Sequence, residues 1–197
     1  MAKAITKKRK TSETDISLSL ILYGKGKYRI KTGISFLDHM LSLFAKHALL
    51  DLKLCASGDL DVDIHHTNED VAIALGEAFS AALKNRAGIK RFGEATVPMD
   101  EALARVTLDI SGRPFLRFNA DKVKVPARAS GYSLDYAEQF LRAFVVNAKI
   151  TLHADVLEGK DMHHILEAIF KAFAKALLRA VEKEPRSKAI PSTKGRI

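Results

Sequence analysis

Cysteine occurs once in this 197-residue chain, at Cys55, so no internal disulfide framework is available and the sequence fits a reducing compartment. The lone thiol reads as a small buried hydrophobe. Long apolar runs are missing too: stretches such as LSLILY and AIALGEAF fall far short of the roughly 20 residues that cross a bilayer, so no membrane partner is expected. The N-terminal stretch MAKAITKKRKTSETDI is basic, but no apolar segment follows it, which argues against a secretory signal and for a cytoplasmic protein. A zinc finger of the C2H2 type, an RNP motif and a helix-turn-helix signature are absent as well. Nucleic acid is therefore supported by charge alone and is not the expected partner.

What is present describes a globular chain. Apolar residues make up 47% and charged residues 28%, enough to bury a full core as one or two small domains. The net charge of +9 suits an anionic partner. Its distribution matters more: basic residues cluster in KKRK at 7–10 and after Lys175, and these runs read as solvated tails and helix faces.

Periodicity predicts a strand over 17–22, a turn at GKGK, a strand over 27–31 and a helix over 35–46 with Phe36, Met40, Leu43 and Phe44 on one face. A strand over 50–56 follows, then a turn at Gly58. DLDVDIHH at 59–66 alternates like a strand, and Thr67 or Asn68 then caps a helix over 71–85 that stops at Gly88. The pattern returns: strands over 104–112 and 114–120, a helix over 133–147, a strand over 149–157 and a helix over 163–183. Leu41, Phe44, Ala48 and Leu52 align with Leu141, Phe144, Ala148 and Leu152 at a shift of 100, and His65, His66 and Glu69 align with His163, His164 and Glu167 at a shift of 98. This is a duplication of about 90 residues, with too few copies for a solenoid. It predicts two α+β units, 1–93 and 94–197, each a sheet with two helices on one face.

The repeated His-His-x-x-Glu pattern carries the chemistry. On a helix, positions i and i+4 share a face, whereas neighbours diverge by about 100°. His65 and Glu69 can face one ion while His66 points elsewhere, and the same holds for His163 and Glu167 against His164. Capping or packing does not explain two such patterns. Imidazole with carboxylate suits Zn, Mn, Fe, Co or Ni over Ca or Mg. Three-ligand half-sets form only if ligands from both halves mix, so two metals are the economical outcome.

The segments TSETDI, TGISFLDHM, DIHHTNEDVAIALGEA, RFGEATVPMDEALARVTLDISGRPFL, ITLHADVLEGKDMHHILEAIFKAFAKAL and PSTKG span nearly the whole chain. In this register they resemble imidazoleglycerol-phosphate dehydratase, the lyase family of histidine biosynthesis. The resemblance implies an α+β fold made by tandem duplication of a unit like the second domain of ribosomal protein S5. It also implies a large homo-oligomer, a hollow shell of twenty-four subunits with two-manganese (Mn2+) sites between subunits. The implied reaction is dehydration of D-erythro-imidazole glycerol phosphate, a small-molecule phosphate substrate, to imidazole acetol phosphate, with metal on the ring nitrogens favouring the imidazolate form.

Carried over by position, the resemblance assigns one ion to His39, His66, His163 and Glu167, and the other to His65, Glu69, His164 and position 139. The family usually has histidine there; this chain has Gln139, whose carbonyl oxygen would replace a nitrogen ligand. His153, on the strand ITLH, is either a compensating ligand or a hydrogen-bonded structural histidine. Ser42 and Leu43 also depart from the family's usual Asp-Gln. Glu13 is assigned proton transfer, although from the residues alone it reads as an exposed strand-edge acid, and His47 is a second candidate for binding or proton shuttling. Arg91, Arg113, Lys171, Ser192 and Lys194 take the phosphate-binding positions. Gly112 and Pro114 fix the turn that would hold the Arg113 guanidinium. Asp100 and Asp109 beside these elements read equally as turn and strand-edge polar groups or as supports for their neighbours. Two rivals follow from the same residues. Gln139 and Leu43 suggest a paralogue that binds ligand without turnover, and the basic charge suggests an RNA-binding module.

Overall fold

Alternation in the strands decides which face of each sheet is buried. The computed structural model describes residues 4–123 and 129–197. Its order is β1 (Ile5–Lys10), β2 (Thr14–Ile21), β3 (Tyr28–Lys31), α1 (Ser35–His47), β4 (Asp51–Gly58) and α2 (His65–Leu83), then β5 (Phe92–Met99), β6 (Ala102–Asp109), β7 (Phe115–Asn119), α3 (Leu134–Ala148), β8 (Thr151–Glu158) and α4 (Met162–Val181). Ile16, Leu18 and Leu20 of β2 are buried, and register pairs them with Ala56, Leu54 and Leu52 of β4. In the second sheet Val106 and Leu108 pair with Ala154 and Leu152 in the same way. The strand orders are β1-β2-β4-β3 and β5-β6-β8-β7, each with one parallel pair at the β3 or β7 edge. The chain is thus an α+β tandem repeat.

Each sheet covers one face with its own two helices, and the helices then pair across the repeat. Helix α1 packs on α4, and α2 packs on α3. The four meet at an aromatic cluster: Phe44 stacks on Phe173 with ring centroids 4.8 Å apart, Phe144 meets Phe173 edge-on at 5.2 Å, and Phe79 lies 5.7 Å from Phe144. Such pairs add about 0.5–1.5 kcal/mol each beyond their buried area. Phe44 and Phe144 are repeat partners, and both are buried. Two glycines set the close approaches. A Cβ on Gly76 of α2 would lie 2.7 Å from the Phe144 carbonyl oxygen of α3, and one on Gly93 of β5 would lie 2.0 Å from the Ala176 carbonyl oxygen of α4.

Four expectations are corrected. The stretch DLDVDIHH is not a strand: residues 59–64 turn, with the Val62 N–H donating to the Asp59 carbonyl oxygen, and α2 begins at His65. Its aspartates serve the helix start, since Asp63 Oδ1 accepts the His65 N–H at 2.5 Å. Thr67 and Asn68 consequently sit inside α2, fully buried, rather than capping a later helix. The Asn68 amide donates to the Tyr136 carbonyl oxygen and accepts the Tyr132 hydroxyl, tying α2 to the approach to α3. The basic run KKRK is a strand of the first sheet, because alternate cations reach carboxylates on α2: Lys7 meets Glu77 at 3.2 Å and Arg9 meets Asp70 at 2.7 Å. Cys55 is exposed on the outward face of β4, between buried Leu54 and Ala56. Strand β5 was not anticipated; FGEATVPM pairs along the whole of β6. No described helix is long and apolar enough to cross a membrane.

Candidate metal centre

The two helices that carry the histidine pairs start on the same device. Asp161 Oδ1 accepts the His163 N–H at 2.7 Å, as Asp63 does for His65. The repeated unit is therefore Asp-x-His-His-x-x-Glu, with the aspartate satisfying an N–H that has no partner within the helix. Adjacent rings leave these helix ends nearly perpendicular, at 88° for His65 and His66 and 85° for His163 and His164. Each pair thus serves two directions, as helical geometry requires.

One direction makes a cluster across the repeat. His39 on α1 places Nε2 2.8 Å from Glu167 Oε1, and His163 Nε2 lies 3.1 Å from the same oxygen. One ligand atom from each residue lies within 4.8 Å of the others. The second Glu167 oxygen accepts Lys171 at 2.5 Å. Burial alone would raise the Glu167 pKa, but Lys171, His39 and His163 together hold it down at about 2, so the carboxylate is charged at neutral pH. The symmetry-related place lies between α2 and α3. There His65 Nε2 stands 3.5 Å from Glu69 Oε2, and both line a cavity of about 480 Å³ with Gln139, Ile73 and Arg142. Gln139 Oε1 is buried with no hydrogen-bond partner among the described residues. A buried acceptor left unpaired costs about 1–3 kcal/mol. An orphaned amide oxygen beside an imidazole and a carboxylate is a donor set that fits a transition ion.

The other direction points each remaining histidine at acids of its own half. His66 Nδ1 meets Asp59 at 2.9 Å, with Glu13 Oε2 at 3.7 Å, and the Asp59 hydrogen bond raises the His66 pKa. His164 Nδ1 meets Glu101 at 2.7 Å and its Nε2 lies 3.8 Å from Asp100; Glu101 raises the His164 pKa and is itself held at about 2, first by that hydrogen bond. Glu101 escaped the sequence reading. Glu13 and Glu101 are related by the shift of 88 that also relates Leu20 to Leu108 on β2 and β6, a register visible only once those strands are paired.

The remaining candidates fall in three places. His47, ending α1, has a lowered pKa through partial burial and then through Lys175 and Lys171, which keeps it neutral at pH 7. Arg91 is held by both Asp109 oxygens, at 2.7 and 3.0 Å, and donates to the Pro191 carbonyl oxygen at 2.7 Å. Ser192 Oγ accepts the Lys194 N–H, and the chain end returns to the Ser111–Arg113 turn, where a Cβ on Gly112 would lie 2.9 Å from the Ile197 carbonyl carbon. Arg113, Ser192 and Lys194 thus share one end of the molecule, Arg91 anchors the tail there, and Lys171 belongs with Glu167 instead. His153 lies on the outer face of its sheet, 5.6 Å from the Phe115 ring, while neighbouring Leu152 and Ala154 face the helices. It does not join Gln139 within the chain. Ser42 donates to the Asp38 carbonyl oxygen and Leu43 packs against the core.

Comparison with known proteins bears on what such clusters do. A family model described as imidazoleglycerol-phosphate dehydratase matches residues 32–177. The imidazoleglycerol-phosphate dehydratase of Clostridium botulinum (strain Kyoto) is 53% identical over 95% of this chain and 94% of its own length. That of Caldanaerobacter subterraneus subsp. tengcongensis is 56% identical over 95% and 96%. Among solved structures, the Staphylococcus aureus enzyme superposes with a TM-score of 0.80 at 40% identity, covering 92% of this chain and all of that one. The Pyrococcus furiosus protein gives 0.83 at 34% identity, over 97% of this chain and all of its own.

Proposed function

The chain belongs to the imidazoleglycerol-phosphate dehydratase family, hydro-lyases of histidine biosynthesis, and we propose that it carries out this dehydration at a di-manganese site completed between subunits. The observation that carries the reading is the meeting of His39 from the first half with His163 and Glu167 from the second, all within 4.8 Å. Its counterpart is the Gln139 oxygen, buried beside His65 and Glu69 and without a hydrogen-bond partner among the described residues. His39, His163 and Glu167 would hold one ion and His65, Glu69 and Gln139 the other. His66 and His164, turned away from their own half-sites, would complete the shells of neighbouring subunits. Bound there, manganese supplies Lewis acidity toward the substrate's imidazole nitrogens.

The chain's own groups then handle protons and the phosphate. The Glu13 carboxylate takes the proton from the second carbon out from the ring. The hydroxyl on the carbon next to the ring leaves with a proton as water, and the enol that remains on the second carbon becomes the ketone of the acetol by proton transfer to the carbon next to the ring. His47, neutral at pH 7, is the second group able to pass a proton. Arg113, Ser192 and Lys194 gather the phosphate, with Arg91 holding the tail through Pro191 and Lys171 fixing Glu167. Asp109 and Pro191 hold Arg91 and so order the tail beside these residues. The basic residues assigned here lie singly in separate segments, which disfavours an RNA surface.

The test is turnover of imidazole glycerol phosphate by purified protein with manganese, after chelation, and as Glu167→Gln. Product in the first case and its loss in the other two is expected. Full turnover by metal-free protein would overturn the reading, and tight substrate retention without product would favour the binding paralogue.

A further inference from the structure

The duplication lets each half be read against the other at the corner where Glu13 sits. Thr14, the next residue, is buried at the start of β2 and donates its hydroxyl to Asp70 Oδ2 at 2.6 Å. Asp70, buried on α2, takes Arg9 on its other oxygen, from Nε at 2.8 Å and from Nη2 at 2.7 Å. Both carboxylate oxygens are therefore answered. The segment between the two strands is drawn into a tight turn: Thr11 Oγ1 accepts the N–H groups of Glu13 and Thr14, at 3.1 and 2.9 Å, and the Glu13 carbonyl oxygen accepts the Asp59 N–H. The Glu13 backbone is thus pinned while its carboxylate stays exposed.

The second half builds the same corner from apolar residues. The shift of 88 that relates Glu13 to Glu101 also relates Thr14 to Ala102 and Arg9 to Val97, and the shift of 98 relates Asp70 to Ala168. Ala102 and Ala168 are buried, and Val97 packs against the core. An ion pair taken out of water is often no more stabilising than apolar packing in its place, so stability does not account for the polar trio. We propose that Asp70, braced by Arg9, is a positioning residue for the Glu13 carboxylate and acts through the Thr14 hydroxyl. The proposal rests on the dehydration reading above, in which Glu13 takes the proton. Glu101 orients a ring and is fixed by the Lys160 and Asp161 N–H groups, so its corner works without such a brace. Glu13 has to reach a carbon-bound hydrogen, and misplacing a reacting group by about 1 Å costs up to roughly 100-fold in rate.

The experiment copies the second half into the first, as Arg9→Val, Thr14→Ala and Asp70→Ala together. The assembled, manganese-loaded protein is assayed on imidazole glycerol phosphate carrying hydrogen or deuterium on the second carbon out from the ring. The expected result is a kcat lower by about 100-fold with KM within about threefold, and a larger deuterium isotope effect as proton removal becomes the slow step, with metal content and particle size unchanged. Thr14→Val, which removes one hydroxyl and decides the matter if the triple variant fails to fold, should lower kcat by about tenfold, and Thr14→Ser should restore it to within about twofold. Glu77→Gln breaks the neighbouring Lys7–Glu77 pair, which joins the same strand and helix at 3.2 Å, and should leave kcat unchanged. Undiminished kcat in the folded triple variant or in Thr14→Val, or a loss matched by lost metal or by an unmoved isotope effect, would overturn the proposal and leave the dehydration reading intact. Absence of turnover by the unaltered protein would remove both.

Discussion

Glu13 and Glu101 occupy matching corners of the two sheets and stand beside His66 and His164, yet they are expected to behave differently. Glu101 sits 2.7 Å from the His164 ring and accepts the N–H groups of Lys160 and Asp161, so it orients a ring. Glu13 is more loosely placed, 3.7 Å from His66, and is free to meet substrate. Glu13→Gln should lower kcat by at least about 100-fold with metal content unchanged. Glu101→Ala should weaken metal retention by about 10–100-fold, measured by competition with a chromophoric chelator. The histidines and glutamates of the repeated pattern were legible in the sequence because helical spacing alone decides which of them share a face. Glu101 was not, because its link to His164 runs through strand register rather than through any local spacing. Gln139 was legible as a departure, but not as a buried acceptor without a partner among the described residues.

Element boundaries show the same division. Helices α1, α3 and α4 were readable from their apolar period to within two residues at each end. The α2 start was not, since DLDVDI alternates as a strand would while its aspartates serve a turn and the first helical N–H groups. Strand β5 was missed for another reason. Its sequence FGEATVPM alternates weakly, and what makes it a strand is its pairing with β6, on a face where α4 lies against Gly93. Gly93→Ala should therefore cost about 3 kcal/mol, lowering Tm by roughly 6–12 °C, because the new methyl meets the α4 backbone rather than a movable side chain. A change below about 1 °C would mean that β5 can retreat. The outer face of the same sheet yields a pH prediction. Burial would raise the Asp155 pKa, but Arg105 at 3.1 Å and Arg117 at 2.8 Å lower it on balance. A carboxyl with a depressed folded pKa stabilises above its unfolded value of about 3.8, and that contribution is lost as pH falls below it. With both arginines half exposed, Asp155→Asn should cost about 0.5–1 kcal/mol at pH 7 and nothing at the acid end. Thermal melts of both proteins across that range measure the gap.

For the molecule as a whole, the duplication was legible and the way its halves combine was not. The shifts of 100 and 98 imply two like units, but only the packing shows α1 against α4 and α2 against α3. Chain spacing cannot choose between that exchange and two self-contained bundles, because the choice depends on aromatic contacts such as Phe44 with Phe173. If His66 and His164 complete the shells of other subunits, stripping metal should shrink the particle. Light scattering before and after chelation, and again after manganese is restored, measures this; an unchanged size would separate assembly from metal.

Crosswise pairing also bears on descent. A forerunner half as long, carrying one sheet and two helices, would have had no partner for its histidine until it met a second copy of itself. Joining the copies end to end made that encounter permanent and independent of concentration. It also released each copy from having to match the other, a freedom on display wherever His39 on one side is answered by Gln139 on the other.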